Sequence, residues 1–390
     1  MISVILGIPV YRLKALRVMK EPLSDGLPRV PPVDFDRTPF TVIWEVTRAC
    51  DLRCVHCRAD AHPWRDPREL STVEGMALLE EIRSLGSPVF VLTGGDPLKR
   101  PDLYALLAHG VRIGLAVAVT PSGTPLLSAD AVRRLADLGA RRLALSLDGP
   151  TPALHDGFRR QPGSFAHTVA GLQHARACGL PVQVNTTVTR RNLETLPAIA
   201  DRVAELGAAV WSAFFLVTVG RAGAADQLTA QECEEVFAFL YGLGQRAPFT
   251  VRTTAAPHYR RFALQQKVGA RREARAGAPP RPAGGAAGRA RAARGVTDGN
   301  GFVFIAHTGD VYPSGFLPLC VGNVRTAPLA DIYRDAPLLR RLRDPQALRG
   351  KCGACEFRRL CGGSRARAFA ASGDPLAEDP LCAYQPRGVG

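Results

Sequence analysis

The amino-acid sequence predicts an α/β fold: a partial (β/α)6 barrel of the TIM type, followed by a smaller C-terminal domain. Short apolar runs that are typical of strands alternate with helix-like stretches six times between residues 41 and 243. The chain has 390 residues, which is long enough for about two domains. The composition also changes abruptly after residue 265, where apolar residues become scarce.

The predicted strands and helices follow one another along the chain. The strands are expected over 41–46, 89–93, 113–120, 142–147, 182–188 and 209–217, and the helices over 71–85, 102–109, 129–138, 165–178, 193–206 and 230–243. Ser71 and Glu74 fit a capping box at the start of the first helix. Such units predict a parallel sheet with helices outside it and functional groups at the carboxyl ends of the strands.

Three further segments surround this core, which spans residues 39–265. Residues 1–38 hold five prolines and no sustained period, so we expect a poorly ordered extension. Residues 266–298 are rich in Arg, Ala, Gly and Pro, a composition that predicts a disordered linker. Residues 299–390 contain a predicted hairpin over 301–312 and two short helices, and form the predicted C-terminal domain.

Composition and charge argue against two classes of protein. No apolar run reaches about 18 residues and residues 1–10 lack the features of a signal peptide, so we expect a cytoplasmic protein without membrane spans. The net charge of +15 suggests nucleic-acid binding. Residues 270–295 alone carry seven Arg against one Glu, however, and Arg is favoured over Lys throughout, as in proteins from GC-rich genomes. Nucleic-acid binding is therefore not favoured.

Three cysteines lie close together after the first predicted strand: Cys50, Cys54 and Cys57, in C-D-L-R-C-V-H-C. Seven of the ten cysteines fall in two such clusters, which favours metal binding over disulfides. Three thiolates leave one iron of a [4Fe–4S] cluster open to a ligand, and an open iron implies a reaction. The alternative is a structural zinc site with His56 or His62 as fourth ligand, although zinc usually takes paired Cys-x2-Cys arms.

The Cys-x3-Cys-x2-Cys spacing of Cys50, Cys54 and Cys57 resembles the signature of the radical S-adenosylmethionine (SAM) superfamily. The resemblance implies that these cysteines are catalytic and hold a [4Fe–4S] cluster whose open iron chelates SAM. It also implies that reduction of the cluster cleaves SAM to a 5′-deoxyadenosyl radical, which abstracts hydrogen from a small-molecule substrate. A flavodoxin- or ferredoxin-type protein would be the electron donor.

The same resemblance implies SAM contacts at the ends of later strands. T-G-G-D-P at 93–97 resembles the Gly-Gly-Glu-Pro motif of the superfamily, and two glycines let a ligand approach the backbone closely. S-L-D-G, N-T-T-V and L-V-T-V-G-R end strands four, five and six. The alternative role of Ser and Asp at such positions is to cap the following helix. The implied cofactor-binding residues are His56, Thr93, Gly94, Gly95, Asp96, Ser146, Asp148, Asn185, Val217 and Arg221.

A second cysteine cluster resembles the SPASM extension of radical SAM proteins. Its members are Cys352, Cys355, Cys361 and Cys382. Relatives with two auxiliary clusters carry Gly-x4-Cys early in the extension and Cys-x2-Cys-x5-Cys-x3-Cys later. Here Ser314 and Arg365 replace one cysteine of each motif, and both missing ligands belong to the same auxiliary cluster. The resemblance therefore implies a C-terminal auxiliary iron–sulfur domain with one Cys-ligated [4Fe–4S] cluster; a zinc ribbon is the alternative.

The stretches P-S-G-F-L-P-L, G-N-V-R and C-G-G-S-R-A-R resemble most closely the haem-pathway group of SPASM proteins, which acts on tetrapyrrole propionates. The leading hypothesis is a monomeric radical SAM oxidoreductase or transferase acting on a small or medium metabolite. Its auxiliary cluster would be an electron acceptor, a substrate ligand or a sulfur source. The alternatives are sulfur insertion that consumes this cluster, peptide maturation, and a non-catalytic nucleic-acid-binding regulator. Candidate partners for substrate carboxylates are Arg159, Arg160, Arg221, Arg260 and Arg261.

Overall fold

The computed structural model describes residues 33–86, 88–276 and 294–387. Residues from Asp34 onward form one compact unit. The predicted extension over 1–38 lies outside the described residues except for 33–38, and so does most of the predicted linker. Among the helices that are described, none is long and apolar enough to span a bilayer.

The described strands form one sheet. The strands are β1 (Thr41–Glu45), β2 (Val89–Thr93), β3 (Ala116–Val119), β4 (Arg142–Ser146), β5 (Val182–Val188), β6 (Val210–Phe215), β7 (Thr250–Thr254), β8 (Phe302–Ile305), β9 (Asp310–Tyr312) and β10 (Gly322–Asn323). Their order is β10-β9-β8-β1-β2-β3-β4-β5-β6-β7. Strand β8 and strands β1 to β7 run parallel to one another, whereas β9 pairs antiparallel with both β8 and β10. The predicted α/β fold class is confirmed.

Helices connect the strands and follow the last of them. They are α1 (Thr72–Ser84), α2 (Leu103–Arg112), α3 (Ala129–Asp137), α4 (Pro152–Arg159), α5 (Ser164–Ala177), α6 (Leu196–Glu205), α7 (Ala230–Arg246), α8 (His258–Ala276), α9 (Leu329–Asp335), α10 (Pro337–Arg343), α11 (Gly350–Ala354) and α12 (Arg365–Ser372). The capping box of Ser71 and Glu74 is formed at the start of α1. Helix α8 continues to Ala276, inside the predicted linker, because Ala and Arg favour helix.

The two faces of the sheet differ. Val42 and Trp44 of β1 are fully buried, and the Trp44 ring packs against α1 so closely that a Cβ at Gly75 would lie 2.7 Å from it. Because side chains alternate along a strand, Glu45 and its neighbour Thr93 lie on the opposite face, here called the inner face.

The C-terminal region joins the barrel sheet directly. Strand β8 pairs in parallel with β1, from Thr41 opposite Phe302 to Trp44 opposite Ile305. The predicted hairpin is therefore present as β8 and β9, and it extends the sheet of the core. This pairing places the C-terminal region beside the loop that carries the first cysteine cluster.

Candidate active site

The first three cysteines meet in the loop after β1. The side chains of Cys50, Cys54 and Cys57 pack together with Leu52 and Ala61 in a small group that is separate from the main hydrophobic core. Cys50 and Cys54 are buried, Cys57 is half-buried, and all three are free thiols. The structure thus brings the predicted ligands together.

Hydrogen-bond donors surround two of these sulfur atoms. The backbone N–H of Leu52 lies 3.4 Å from Cys50 Sγ and the Ser122 hydroxyl lies 3.5 Å from it. Arg159 Nη1 donates to Cys54 Sγ over 3.5 Å. Burial raises the pKa of the Cys50 thiol to about 12, so a metal must displace its proton on binding. Donors directed at sulfur stabilise the thiolate ligands of iron–sulfur clusters.

Arg159 is held in place by Asp148. The two side chains form a buried ion pair, and the other carboxylate oxygen of Asp148 accepts the Thr187 N–H over 2.7 Å. Burial lowers the pKa of Arg159, but Asp148 and Cys54 raise it by more, so the guanidinium stays charged. Asp148 thus orients Arg159, and its role as a SAM contact stays a prediction.

Asp96 likewise binds the protein itself. Its buried carboxylate accepts the Leu98 N–H over 3.1 Å, the Ser122 N–H over 3.3 Å and the Thr124 hydroxyl over 2.8 Å. Burial raises its pKa to about 6. Asp96, predicted as a cofactor contact, therefore connects the loop after β2 to the loop after β3, which carries Ser122.

The glycines before Asp96 lie against the cysteine loop. A Cβ at Gly94 would lie 2.6 Å from Thr47 O, and a Cβ at Gly95 would lie 2.5 Å from Ala49 O. The Gly95 N–H donates to Thr47 O over 2.8 Å, and the Asp96 N–H to Ala49 O over 2.7 Å. The absence of a side chain at Gly94 and Gly95 thus lets the loop after β2 pack directly against the backbone of the cysteine loop.

Ser146, the last residue of β4, lies beside Asn185 in the middle of β5. Both are half-buried and face inward. The Gln183 amide donates to Asn185 Oδ1 over 2.8 Å, which orients the Asn185 amide and leaves its N–H groups for a ligand. Thr93 is half-buried at the end of β2 on the same face. Their roles as SAM contacts stay predictions.

His56 lies between two of the cysteines and packs against Phe158, with ring centroids 4.7 Å apart. Burial, with Arg159 and Arg221 near by, lowers its pKa well below the usual value, so the ring is neutral. Its Nδ1 is buried and has no hydrogen-bond partner among the described residues. An orphaned ring nitrogen beside the cysteines fits the predicted contact with a bound cofactor.

Arg221 holds the cysteine loop through both its side chain and its backbone. Its Nε donates to Cys54 O over 3.0 Å, and its Nη1 donates to Asp60 and to Ala61 O. Its backbone N–H donates to Cys57 O over 3.0 Å. Arg221 therefore clamps the cysteine loop, while its buried Nη2 has no hydrogen-bond partner among the described residues, and its role as a cofactor contact stays a prediction. The carbonyl of buried Val217 accepts the Val219 N–H over 2.9 Å.

The second set of cysteines also converges. Its members are Cys352, which is buried, and Cys355, Cys361 and Cys382, which are half-buried. Burial, together with the nearby Cys382 and Cys352, raises the pKa of the Cys361 thiol to about 12. Backbone N–H groups of Asp379, Phe357 and Gly363 donate over 3.4 Å to Cys352, Cys355 and Cys361 respectively.

The metal-ligating atoms of both cysteine sets suit iron–sulfur clusters. In each set some of the thiols accept N–H groups at sulfur, as cluster ligands do. Within the described ranges, no three Cys, His, Asp or Glu side chains converge on the position of a single metal ion. Cys50, Cys54 and Cys57 would hold the first cluster, and the four C-terminal cysteines the second.

Two features of this site were not predicted. Ser122 contacts Cys50, and its position just after the third strand is the signal that could have identified it. Glu45 is fully buried and binds Arg58 Nη2 and His307 Nδ1, each over 3.1 Å. Burial alone would raise the pKa of Glu45, but Arg58, His307 and Arg48 together lower it to about 2. This ion pair joins β1, the cysteine loop and the C-terminal hairpin.

Comparison with known families assigns both cysteine sets. Residues 44–203 match the radical SAM superfamily, and residues 297–356 match the SPASM iron–sulfur cluster-binding domain. The first range contains the Cys50 loop, and the second contains Cys352 and Cys355.

Curated relatives cover most of the chain. An AdoMet-dependent heme synthase of Oleidesulfovibrio alaskensis is 42% identical over 348 residues, which are 89% of this chain and 87% of that protein. Another from Methanosarcina barkeri is 38% identical and covers 89% of this chain and 97% of that protein. Among solved structures, SuiB of Streptococcus suis has a TM-score of 0.67 at 17% identity, covering 89% of this chain and 78% of that one. The last match concerns the fold alone.

Proposed function

Because the chain is an enzyme of the radical SAM superfamily and belongs to its haem-pathway group of SPASM proteins, we propose that it is an AdoMet-dependent haem synthase. Membership of the superfamily brings SAM, a SAM-binding [4Fe–4S] cluster and an auxiliary iron–sulfur cluster. When bound, SAM and its cluster supply a carbon-centred radical that removes a hydrogen atom from the substrate.

The proposed substrate is an iron tetrapyrrole that carries propionates where haem carries vinyl groups. Removal of one hydrogen atom from the propionate carbon next to the ring leaves a radical there. The bond to the carboxylate then breaks, CO2 leaves, a vinyl group forms, and one electron is released. Cys352, Cys355, Cys361 and Cys382 would hold an auxiliary cluster whose oxidised form would accept that electron, so atoms and charge balance without another oxidant.

Such a substrate needs cationic partners for its carboxylates, and most of the arginines proposed from the sequence have other contacts. Arg159 pairs with Asp148, and Arg221 clamps the cysteine loop. Arg261 pairs with Glu234, and Arg260 donates to Val296 O. Arg159 and Arg261 are therefore poor candidates for a substrate site, whereas Arg221 Nη2 and Arg260 Nη1 are buried without a hydrogen-bond partner among the described residues.

Two other arginines on the inner face fit this role. Arg142 begins β4, donates to Gln183 Oε1 over 3.2 Å, and has a buried Nε without a partner. Arg252 lies on edge strand β7 opposite Ser212, whose hydroxyl contacts Thr254 on the same face. Burial lowers the pKa of Arg142, and the charges of Arg252 and Arg141 lower it further.

Neither Arg142 nor Arg252 forms an ion pair with any residue that the structure describes. Two guanidinium groups on one face of the sheet, neither paired with a carboxylate among the described residues, would attract the carboxylates of a bound substrate. This pair, below Ser146 and Asn185, is the observation that most favours a substrate bearing carboxylates.

Other assignments complete the proposal. Ser146, Asn185, Thr93 and His56 would contact SAM, because each presents a free or half-buried group beside the cysteine loop. A single auxiliary [4Fe–4S] cluster is proposed, since Ser314 and Arg365 replace cysteines. We also propose a flavodoxin- or ferredoxin-type electron donor and a monomeric enzyme.

Anaerobic turnover with SAM, a reductant and a propionate-bearing iron tetrapyrrole tests the proposal. Mass spectrometry should detect vinyl products and one 5′-deoxyadenosine per vinyl group formed. Substitutions R142Q and R252Q should each raise KM about tenfold or more, because each removes a charged hydrogen bond. The matched control R246Q changes an exposed arginine at the end of α7 and should leave KM unchanged. Tetrapyrrole recovered unchanged from the wild-type enzyme would refute the proposed function.

A further inference from the structure

Arg365 contacts a ligand of the auxiliary cluster. Its side chain is only 1% exposed, and its Nη2 lies 3.6 Å from Cys352 Sγ. Arg365 replaces the last cysteine of the Cys-x2-Cys-x5-Cys-x3-Cys motif. A cationic donor has thus taken the place of a thiolate and points at the sulfur of a remaining one.

The rest of the guanidinium is fixed by backbone carbonyls. Its Nη1 donates to Ala377 O over 2.6 Å and to Pro375 O over 3.2 Å, and its Nε donates to Gly363 O over 3.2 Å. None of the acidic side chains in the described ranges pairs with it; the neighbouring Asp379 pairs with Arg367. The positive charge of Arg365 is therefore not neutralised by a carboxylate.

Close packing keeps this charge beside the sulfur. A Cβ at Gly363 would lie 2.4 Å from Arg365 Nη2 and 3.0 Å from Cys352 Sγ. Gly363 has φ +67°, which favours glycine and leaves no side chain between the two groups. The guanidinium thus has little room to turn away from Cys352.

We propose that Arg365 raises the reduction potential of the auxiliary cluster through Cys352. A reduced cluster carries one more negative charge, so a buried cation and a charged hydrogen bond to a ligand sulfur stabilise the reduced form. Arg365 is a positioning and tuning residue, since it acts through Cys352. This inference rests on the proposed function for its purpose, which is uptake of the single electron that decarboxylation releases.

Redox titration of the anaerobic holoenzyme, followed by electron paramagnetic resonance, tests this inference without substrate. In R365Q the auxiliary potential should become more negative by at least 59 mV, which is a tenfold change in the equilibrium constant of a one-electron transfer. R365K keeps a charge but cannot reach both the carbonyls and the sulfur, so a smaller shift in the same direction is expected. The potential of the SAM-binding cluster should not move.

R340Q is the matched control, because Arg340 lies on α10, is exposed and pairs with Asp335. The reduction potential of the auxiliary cluster in R340Q should equal that in the wild-type enzyme. If R365Q does not bind its auxiliary cluster, the potential measured for R365K tests the inference in its place. An unchanged auxiliary potential in the loaded Arg365 variants would overturn the inference. Turnover is measured separately, so a wild-type enzyme that makes no haem would refute the proposed function and leave the shift in potential standing.

Discussion

Arg159 shows how a single residue prepares the first cysteine set for its cluster. It is buried, donates to Cys54 Sγ and is paired with Asp148. From the sequence, Arg159 was proposed to bind substrate and Asp148 to bind SAM. Their ion pair was not foreseen, because a local pattern does not reveal a partner that lies 11 positions away. The carboxyl ends of neighbouring strands were rightly identified as the region where these groups meet.

Removing both members of this pair should cost less free energy of unfolding than the two single removals added together. R159Q leaves a buried carboxylate without its cation and should cost about 3 kcal/mol of unfolding free energy. The double variant D148N/R159Q should lose less than the two single variants together. Urea unfolding of the anaerobic holoenzymes measures these differences. Additive losses would contradict the proposed coupling.

At the scale of elements, the sequence predicted six strands and the helices between most of them. Strand β7 was missed because T-V-R-T-T is a polar, half-exposed edge strand. Helix α4 was missed because it is short and begins with Pro152. The parallel pairing of β8 with β1 was missed because the two strands are far apart in the sequence, so no local signal joins them.

The contact between the loop after β2 and the cysteine loop leads to a prediction about Gly95. In G95A the new methyl group would meet Ala49 O at 2.5 Å, and a backbone atom cannot yield as a side chain can. We expect a loss of about 1–3 kcal/mol and fewer irons bound at the first cluster. Iron analysis and Mössbauer spectroscopy measure this loss.

G157A is the control for G95A, since a Cβ at Gly157 on α4 would have no neighbour within 4 Å. It should keep a full complement of iron. If G95A also bound iron fully and unfolded at the wild-type urea concentration, the close approach would not be needed for cluster binding.

For the whole molecule, Glu45 connects the barrel, the cysteine loop and the C-terminal hairpin. Its pKa of about 2 lies below the usual 4.5, so the carboxylate stabilises the fold above pH 4.5, and this contribution declines as the pH falls toward 2. At pH 7, E45Q should cost about 3 kcal/mol, because Arg58 and His307 lose a buried counterion.

Differential scanning calorimetry at pH 7 tests this link between the two ends of the chain. The control is E205Q on α6, whose exposed side chain pairs only with the neighbouring Arg202. E205Q should melt within about 1 °C of the wild type, since surface ion pairs contribute little. An E45Q enzyme with an unchanged melting temperature would show that Glu45 does not hold the C-terminal hairpin.

The family assignment settles one alternative of the sequence analysis, because the chain is an enzyme and the non-catalytic regulator is excluded. Both cysteine sets could be proposed from the sequence, since ligand spacing is local information, and their roles as cluster ligands stay predictions. The sequence did not predict that Arg142 and Arg252 share the inner face. This follows only from the order and register of the strands, which place the two side chains on the same face of one sheet.

The central claim is that the barrel directs a radical to a propionate of an iron tetrapyrrole. Its most direct test is anaerobic turnover of substrate carrying deuterium on the propionate carbons next to the ring, with mass spectrometry of the 5′-deoxyadenosine formed. The account predicts one deuterium in each 5′-deoxyadenosine released with a vinyl product, and no product from C54A. Unlabelled 5′-deoxyadenosine accompanying vinyl products would contradict it.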